Sequence, residues 1–537
     1  MNQNEKREIH PIRLFVCIIL GASIWLSPVP EGLEAFVMKP TEDNATIADT
    51  NGASQELGER NATQLEPRDD AKVVDGKGSI VDGKAKGRKA WQCFAVFAAT
   101  ILALLIKPMP MGPSVLFGIV VLAAGNVLGM DSKESLKAAL KGYGDTTTWL
   151  VVAAFLLGSA MIRSGLGRRI ALGLAALLGR TVLGLAYAIA GAEFILGAMV
   201  PSNTARGGGV MAPIVNSLSH ALGSRPDDQP KRAGEYLCLC GAHLNLIAAA
   251  TFLTGMAANP LISDFFSNTE IAKKNDLVFD WPTWLLGSIV PALVSFLVLP
   301  LFMLKLAPPE LKDAGAARKQ ARTELSEMGL WSRNEKIVLG VFLLMLGLWI
   351  SKPLHGLHTT TVALMGMGIL IMTRAEKWRD VMGNAAAWDA LIWLGGLISM
   401  ATALKDLEFI GWFANVMQAQ VSGMDWMTAL LILALVYFYS MYGFSMLTGH
   451  IKAMVAVFFL VAVGTDAPPM LTVALLAYFS NLCGCLTNYS TGPVVIYFGL
   501  GYVEPVRWFR IGFLVSLLHL AIWLGVGLPW WKLLGWW

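Results

Sequence analysis

Long apolar blocks separated by short polar connections constrain the fold of this chain more than any other feature. Inside a bilayer only helices and closed barrels satisfy the backbone, and a run of about 20 apolar residues has the length of a spanning helix. Hydrophobic residues make up 55% of the 537 residues and charged residues 15%, whereas a soluble domain is about one-quarter charged. The pattern predicts an all-α polytopic membrane protein, with room for about ten to twelve spans.

Composition divides the chain into five parts. Residues 1–30 contain the N-terminus and a first span, which we interpret as retained because no small-residue cleavage site follows it. Residues 31–89 are polar, poor in aromatics and repeat Val-Asp-Gly-Lys, which predicts a disordered extramembrane insertion. Residues 90–307 and 337–537 carry the apolar blocks, and 308–336 form a charged linker with basic residues, typical of the cytoplasmic side.

The two apolar parts share the same pattern of apolar blocks and polar breaks. Each contains a polar break within an apolar block, which predicts hairpins at 202–209 and 448–452. Each also has a second break in a late span, at 255–260 and 484–493. Paired interruptions at corresponding places indicate a transporter site formed by discontinuous helices at the interface of two repeats.

The strongest local signal is Pro201-Ser-Asn-Thr-Ala-Arg-Gly-Gly-Gly209, directly after an apolar run. Backbone groups that such a break leaves unpaired are tolerated at membrane depth only where they are buried in protein or line a cavity. Ser202, Asn203 and Thr204 supply hydrogen-bond donors, and the next helix points its positive end at the same place. We interpret the segment as a site for an anionic oxygen; the alternative is a buried re-entrant loop or interfacial turn without a ligand.

Basic residues accompany both breaks. The second break contains Thr448, Gly449, His450 and Lys452. Ionisable residues are costly within a membrane, so their presence there suggests a function. We predict that Arg206, His450 and Lys452 compensate the charge of a bound anion. The alternatives are a hydrogen-bonded structural histidine and basic side chains that reach the interface.

The late breaks add amides, hydroxyls and helix breakers that can hold part of the anion or a cation. The candidate substrate-binding residues there are Asn259, Thr487, Asn488, Ser490, Thr491, Gly492 and Pro493. Glu193, inside an apolar run, is either a proton-linked carboxylate or the structural partner of a nearby cation, and we favour the second.

Taken together, these motifs resemble those of the divalent anion/sodium symporter superfamily. The chain is most similar to the exchanger branch that includes plastid 2-oxoglutarate/malate translocators and bacterial citrate/succinate antiporters. The resemblance rests on 201–209, 254–260, 387–391, 448–450 and 480–502, and covers about 10–30 and 90–537. It implies two inverted repeats with re-entrant hairpins and broken helices, a scaffold and an elevator-type transport domain, and a homodimer.

The resemblance also implies that Ser202, Asn203 and Thr204 form the first substrate motif. Gly449, His450 and Ile451 would occupy the second motif, where the symporter pattern reads Ser-Asn-Thr, so the sodium sites are in doubt. Fixed cations without a bound anion would cross the membrane poorly, which favours sodium-independent exchange of di- or tricarboxylates such as malate, succinate or 2-oxoglutarate. A sodium-coupled dicarboxylate symporter is the alternative.

Other classes fit less well. An intramembrane enzyme would need a nucleophile–base or metal constellation, and the sequence contains no His-Glu-x-x-His motif. Repeated broken helices suit alternating access better than a continuous channel. We expect no cofactor, no metal centre and no nucleic-acid partner. The membrane is best interpreted as a bacterial inner membrane, with a plastid-type organelle membrane as the alternative.

Overall fold

The computed structural model describes residues 9–37, 72–74, 80–200, 202–421, 423–444 and 446–537. Within these residues the chain is helical except for one short antiparallel strand pair, Lys72–Val74 (β1) with Ile80–Asp82 (β2), and one isolated bridge. The predicted all-α fold is therefore confirmed.

The α-helices before the linker are Pro11–Leu26 (α1), Leu33–Val37 (α2), Gly83–Ile106 (α3), Met111–Ala124 (α4), Ser132–Ala139 (α5), Thr146–Ser164 (α6), Leu166–Leu178 (α7), Val182–Met199 (α8), Ala212–Ala221 (α9), Gly234–Thr251 (α10), Asn259–Ser267 (α11), Glu270–Lys274 (α12) and Trp281–Leu306 (α13). The later ones are Gly315–Glu327 (α14), Arg333–Ile350 (α15), Lys352–His355 (α16), Thr359–Met372 (α17), Trp378–Met382 (α18), Ala385–Asp406 (α19), Phe409–Val421 (α20), Trp426–Tyr439 (α21), Leu447–Val463 (α22), Pro469–Leu482 (α23), Gly492–Gly499 (α24), Pro505–Gly525 (α25) and Gly527–Leu533 (α26). Thr204–Met211 is π-helical, and 3₁₀ turns lie at Lys141–Gly144, Pro230–Arg232, Leu253–Gly255, Ser440–Gly443 and Cys483–Leu486.

Seven helical segments within the described residues are long and apolar enough to cross a membrane, so the chain is an integral membrane protein. They are Thr146–Ser164, Val182–Met199, Trp281–Leu306, Ala385–Asp406, Trp426–Gly443, Pro469–Leu486 and Pro505–Leu533. Four shorter apolar helices, Pro11–Leu26, Met111–Ala124, Thr359–Met372 and Leu447–Val463, accompany them.

Side-chain caps fix where several of these helices begin. Asp145, Thr181, Asp280 and Asp425 each accept a hydrogen bond from a backbone N–H in the first turn of the helix that follows. Ser332 and the side chain of Glu335 form a reciprocal capping box at the start of α15. These caps satisfy amide groups that the first turn of a helix leaves unpaired.

The chain forms two compact units. One contains the described residues up to Tyr143 together with Ile392–Gln420; in it α1 packs on α3 and α3 packs on α4. The other contains Gly144–Leu391 and Val421–Trp537. Its centre is α10, whose residues are all buried and which packs against α8, α13 and α23.

The edges of the predicted insertion 31–89 differ from the prediction. Leu33–Val37 is helical with Leu33 and Val37 buried, and α3 already begins at Gly83 rather than at the predicted boundary of 90. The apolar side chains of α2 find a packing surface on α3, which the polar composition of the segment as a whole did not indicate. The prediction for 38–71 lies outside the described residues.

The predicted linker 308–336 is mostly ordered secondary structure. Residues 310–314 add extended backbone against 180–182 and 231–232, with Val182 N donating to Lys312 O at 3.0 Å. Helix α14 then packs on α7 and α9. The linker is therefore attached to the first apolar part along most of its length.

The same order of elements occurs twice in the second unit. Helix α8 is followed by a break that contains Val200 and Ser202, then the π-helical segment, α9, and α10 with its own break before α11. Helix α21 is followed by a break, α22, and α23 with its own break before α24. The first break and the two late breaks overlap the segments that the sequence pattern indicated.

The second hairpin is displaced from its predicted position. Residues 448–452 are helical, inside Leu447–Val463, and the chain reverses instead at 440–446, where Ser445 lies outside the described residues. The prediction of a hairpin here relied on three polar residues, Thr448, His450 and Lys452. Composition alone does not distinguish a loop from a helical turn whose polar side chains are packed against other parts of the protein.

Candidate functional site

The first break brings the predicted Ser-Asn-Thr motif to the start of a helix. Ser202 and Asn203 are buried, and Ser202 Oγ accepts a hydrogen bond from Ala205 N at 3.2 Å. Thr204 is the exposed member of the motif. Thr204 is therefore the most accessible residue of the three, whereas Ser202 shapes the turn; Pro201 lies outside the described residues.

The three glycines after the motif are helical and serve close packing. A Cβ on Gly207 would lie 2.6 Å from Asn245 Nδ2 and 2.9 Å from Pro493 Cβ. A Cβ on Gly208 would lie 2.2 Å from Ile496 Cδ1. Helix α24 can approach the π-helical segment only because these positions carry no side chain.

Arg206 is completely buried and forms an ion pair with Glu193, at 2.7 Å between Nε and Oε2. Its Nη1 donates to the carbonyl oxygens of Val200 and Gly255, each at 3.0 Å. Asn245 donates to the same carboxylate oxygen at 2.9 Å. Arg206 therefore ties the first break to the late break at Gly255.

This arrangement corrects the prediction that Arg206 compensates the charge of a substrate. The positive charge is offset by Glu193, and the guanidinium is held by backbone carbonyls inside the protein. A buried charge needs a partner because its desolvation is costly, and here the chain supplies the partner itself. The structural interpretation of Glu193 fits this geometry.

Helix register defines which residues of the second break correspond to the first motif. Helix begins at Asn203, directly after Ser202, in the first break and at Leu447, directly after Met446, in the second. Counting from these starts places Met446, Leu447 and Thr448 at the positions of Ser202, Asn203 and Thr204. The earlier assignment to Gly449, His450 and Ile451 is three residues too far along the chain.

The same register places His450 at the position of Arg206. His450 is fully buried; its Nε2 lies 2.8 Å from Ser440 Oγ and 3.0 Å from the carbonyl oxygen of Tyr437. Its ring also packs against Tyr437, with centroids 4.4 Å apart. His450 thus ties the second break to the preceding helix, as Arg206 does in the first.

The other predicted basic residue, Lys452, lies within electrostatic range of Asp389. Two of the three predicted compensating cations therefore have an acidic neighbour in the chain. The predicted surplus of fixed positive charge is correspondingly smaller.

The side chain of Asn259 is hydrogen-bonded within the protein. Its Nδ2 donates to Ala249 O at 2.8 Å and Phe252 O at 3.1 Å, and its Oδ1 accepts from Asn481 Nδ2 at 2.9 Å. These bonds satisfy the carbonyls at the end of α10 and link α11 to α23. Both N–H groups of the Asn259 amide are therefore bonded within the protein, and its predicted substrate contact stays a prediction.

The late break of the second half touches both motif segments. Asn203 Nδ2 donates to Thr491 Oγ1 at 3.0 Å, and Leu447 N donates to Ser490 O at 2.8 Å. A Cβ on Gly492 would lie 2.4 Å from Thr204 Oγ1. Residues 490–492 therefore bring the two breaks of the unit to one place.

The remaining predicted residues of this late break divide by role. Ser490 Oγ donates to Gly484 O at 2.6 Å and stabilises the turn, and Pro493 packs on Gly207. Thr487 Oγ1 is buried and has no hydrogen-bond partner among the described residues. Asn488 is half-buried. Thr487 and Asn488 are therefore the residues whose polar groups remain available to a ligand.

Sequence reasoning missed Asn245, Asn481 and Asp389 as parts of this network. Asn245 and Asn481 lie inside apolar runs, and an isolated amide in such a run was the signal that could have found them. Only the fold pairs Asn245 with Glu193 and Asn481 with Asn259.

Comparison with known proteins gives the family. Residues 85–537 match the family described as sodium:sulfate symporter transmembrane region. The chain is 40% identical over 450 residues to the putative malate transporter YflS of Bacillus subtilis, covering 84% of this chain and 92% of that protein.

Two further relatives come from a plant and another bacterium. The chain is 36% identical over 453 residues to dicarboxylate transporter 1, chloroplastic, of Arabidopsis thaliana, covering 84% of this chain and 79% of that protein. It is 35% identical over 453 residues to the inner membrane protein YbhI of Escherichia coli, covering 83% of this chain and 93% of that protein. The resemblance found in the motifs is confirmed: the chain belongs to the sodium:sulfate symporter family, the divalent anion/sodium symporter family of membrane transporters.

Proposed function

We propose that this chain exchanges dicarboxylates, such as malate, succinate or 2-oxoglutarate, across a bacterial inner membrane. The observation that carries the proposal is the meeting of both breaks at residues 490–492, through Asn203–Thr491 and Leu447–Ser490. Two helix starts at one place suit a ligand with an anionic group at each end. The names of the malate and dicarboxylate transporters among the relatives support the same substrate class.

In this proposal Thr204 and Thr448 bind the two carboxylates near the starts of their helices, and Thr487 and Asn488 complete the site. Thr204 is exposed, Thr448 and Asn488 are half-buried, and Thr487 has a hydroxyl without a partner among the described residues. The side chain of Asn203, bonded to Thr491, and the carbonyl oxygen of Ser490, bonded to Leu447 N, hold both breaks on the late break. Elevator motion and a homodimer remain proposals drawn from the family resemblance.

Side-chain chemistry at the second break supports exchange over sodium coupling. The positions equivalent to Ser202 and Asn203 are Met446 and Leu447, which offer no side-chain oxygen to a hard cation. Because Glu193 offsets the charge of Arg206, a surplus of fixed positive charge no longer favours exchange. The missing oxygen ligands at the second break favour it instead.

Sodium-coupled uptake is the second candidate. The first motif retains all its oxygen-bearing side chains, and the matching family is described by sodium:sulfate symport. A single sodium ion at the first break would suffice to couple uptake to a sodium gradient.

Counterflow in proteoliposomes separates the two candidates. We expect labelled malate to enter vesicles preloaded with malate, succinate or 2-oxoglutarate, and to enter unloaded vesicles at background rate only. Replacement of external sodium by potassium should leave the rate unchanged. Net uptake into unloaded vesicles that requires a sodium gradient would establish the symporter instead.

A further inference from the structure

A recess in the first unit has no part in the proposed transport site. It lies among α1, α3 and α4, has a volume of about 360 Å³, and is lined almost entirely by apolar side chains. Small residues form much of its lining: Gly21, Ala22, Ala99, Ala103 and Gly118.

The recess has a buried floor and a rim that faces outward. Cys17, Thr100 and Ser114 on the floor are at most 6% exposed. Ile18 and Phe117 on the rim are 49% and 55% exposed. The hydroxyls of Thr100 and Ser114 donate to the carbonyls of Val96 and Pro110, so the floor offers no unpaired hydroxyl to a polar ligand. Its occupant must therefore be apolar along this length.

Basic residues stand at the end of the recess that Leu14, Pro108 and Met109 line. Arg13 is exposed and donates to Ile106 O at 2.9 Å, and Lys107 is exposed at the end of α3. Neither residues 10–26 nor residues 83–121 contain an aspartate or glutamate. The helices around the recess thus carry only positive formal charge.

We propose that the recess binds one acyl chain of an anionic phospholipid, with its phosphate held by Arg13 and Lys107. Inside a bilayer an acyl chain gains little from contact with apolar side chains alone, since lipid tails are as apolar as leucine. Retention therefore depends on the fit of the chain in the recess and on the attraction of the phosphate to the two basic side chains.

Lipid retention measured on the full-length protein tests this proposal. The protein is reconstituted in vesicles of equal phosphatidylglycerol and phosphatidylcholine, re-extracted in mild detergent, and its bound lipids are counted by native mass spectrometry. We expect wild-type protein to retain one phosphatidylglycerol per chain. Ala22→Phe, which adds a ring at an exposed lining position, should lose it, whereas Ala521→Phe, at an exposed position on α25, should not.

Charge variants test the head-group part separately. Arg13→Gln and Lys107→Gln should each lower the preference for phosphatidylglycerol over phosphatidylcholine about fivefold, the value of one basic side chain near an anionic lipid. Lys84→Gln, an exposed lysine at the other end of α3, is the matched control and should leave the preference unchanged.

Three results would overturn the proposal. One is equal lipid retention by Ala22→Phe and Ala521→Phe. Another is an unchanged lipid preference in both charge variants at Arg13 and Lys107. The third is a changed ratio of monomer to dimer in Ala22→Phe with unchanged lipid, which would assign the recess to a second copy of this chain. Thermal unfolding of each variant in detergent confirms that it is folded.

Discussion

Arg206 is the residue whose role changes most between sequence and structure. Its position after the Ser-Asn-Thr motif suggests a contact with an anion, yet its guanidinium binds Glu193 and the carbonyls of Val200 and Gly255. The planar fork of arginine suits this task, because it donates to several acceptors in fixed directions. Arg206 therefore positions the first break and is not expected to touch the substrate.

Removal of the Glu193 carboxylate alone should destabilise the protein more than removal of both members of the Glu193–Arg206 ion pair. We expect Glu193→Leu to destabilise the protein by about 3–5 kcal/mol, because it leaves a buried cation without its partner. The double variant Glu193→Leu, Arg206→Met should recover much of the unfolding temperature in detergent, while exchange stays low because Val200 and Gly255 are no longer tied together. An unfolding temperature of Glu193→Leu equal to that of wild type would contradict this account.

Thr204 provides the matching test of direct substrate contact. Thr204→Val should raise the KM for malate about tenfold, since a hydrogen bond to a charged group is worth about 1.5–3 kcal/mol. Its unfolding temperature should remain that of wild type, because the side chain is exposed. Thr323→Val, an exposed threonine on α14, is the control and should leave KM unchanged. An unaltered KM in Thr204→Val would remove Thr204 from the site.

At the scale of elements, the linker helix α14 is held on α7 and α9 by one carboxylate. Glu324 accepts from Arg168 Nη2 at 2.9 Å and from Ser217 Oγ at 2.7 Å. Gln320 on the same helix donates to it at 2.9 Å. The carboxylate thus connects three helices of the unit.

These contacts make the contribution of Glu324 dependent on pH. Burial raises the pKa of its carboxyl, but the hydrogen bonds from Arg168, Gln320 and Ser217 outweigh burial and leave the pKa below its usual value. The stabilisation is therefore complete above about pH 4.3, the ordinary value for glutamate, and is lost as the pH falls through the lower folded-state pKa. At pH 7 Glu324→Gln should unfold at a lower temperature than wild type, by about 1 kcal/mol of stability. The difference in unfolding temperature between wild type and Glu324→Gln should become smaller below about pH 4. A larger difference at that pH would refute the stabilising role of the ionised Glu324 carboxylate.

Element order was more predictable than element boundaries. The alternation of apolar blocks with Gly-rich breaks indicated the first break and both late breaks, since a break in hydrophobicity at membrane depth has few physical explanations. The exact turn at 440–446 was missed because Thr448, His450 and Lys452 look like a loop in one dimension. Their place within a helix is a property of packing.

At the scale of the whole molecule, exchange by this chain should respond to the charges of the substrates. Exchange of one dianion for another moves no net charge, so we expect malate–succinate exchange to be insensitive to a potassium–valinomycin potential. Uptake of a dianion without a counter-substrate would move two charges across the membrane. The membrane potential would therefore change its free energy by about 4.6 kcal/mol per 100 mV, which is twice the value of about 2.3 kcal/mol for one elementary charge. A steep voltage dependence of malate–succinate exchange in proteoliposomes would contradict the proposed exchange.

The sequence by itself determined the membrane class, the order of the breaks and the Ser-Asn-Thr motif. Hydrophobic run length and helix-breaking residues are local properties that act through the bilayer, whatever the rest of the chain does. These properties were enough to identify the family from the motif residues.

Tertiary structure alone decided which polar groups are used up inside the protein. Arg206 pairs with Glu193 thirteen positions away, Asn259 with Asn481, and Asn203 with Thr491, across breaks that are far apart in the chain. Whether a buried polar group binds a ligand or another part of the protein depends on its neighbours in space, because a buried polar group without a hydrogen-bond partner costs free energy. The packing of the helices assigned those partners and left Thr204, Thr448, Thr487 and Asn488 for the substrate in the proposed site.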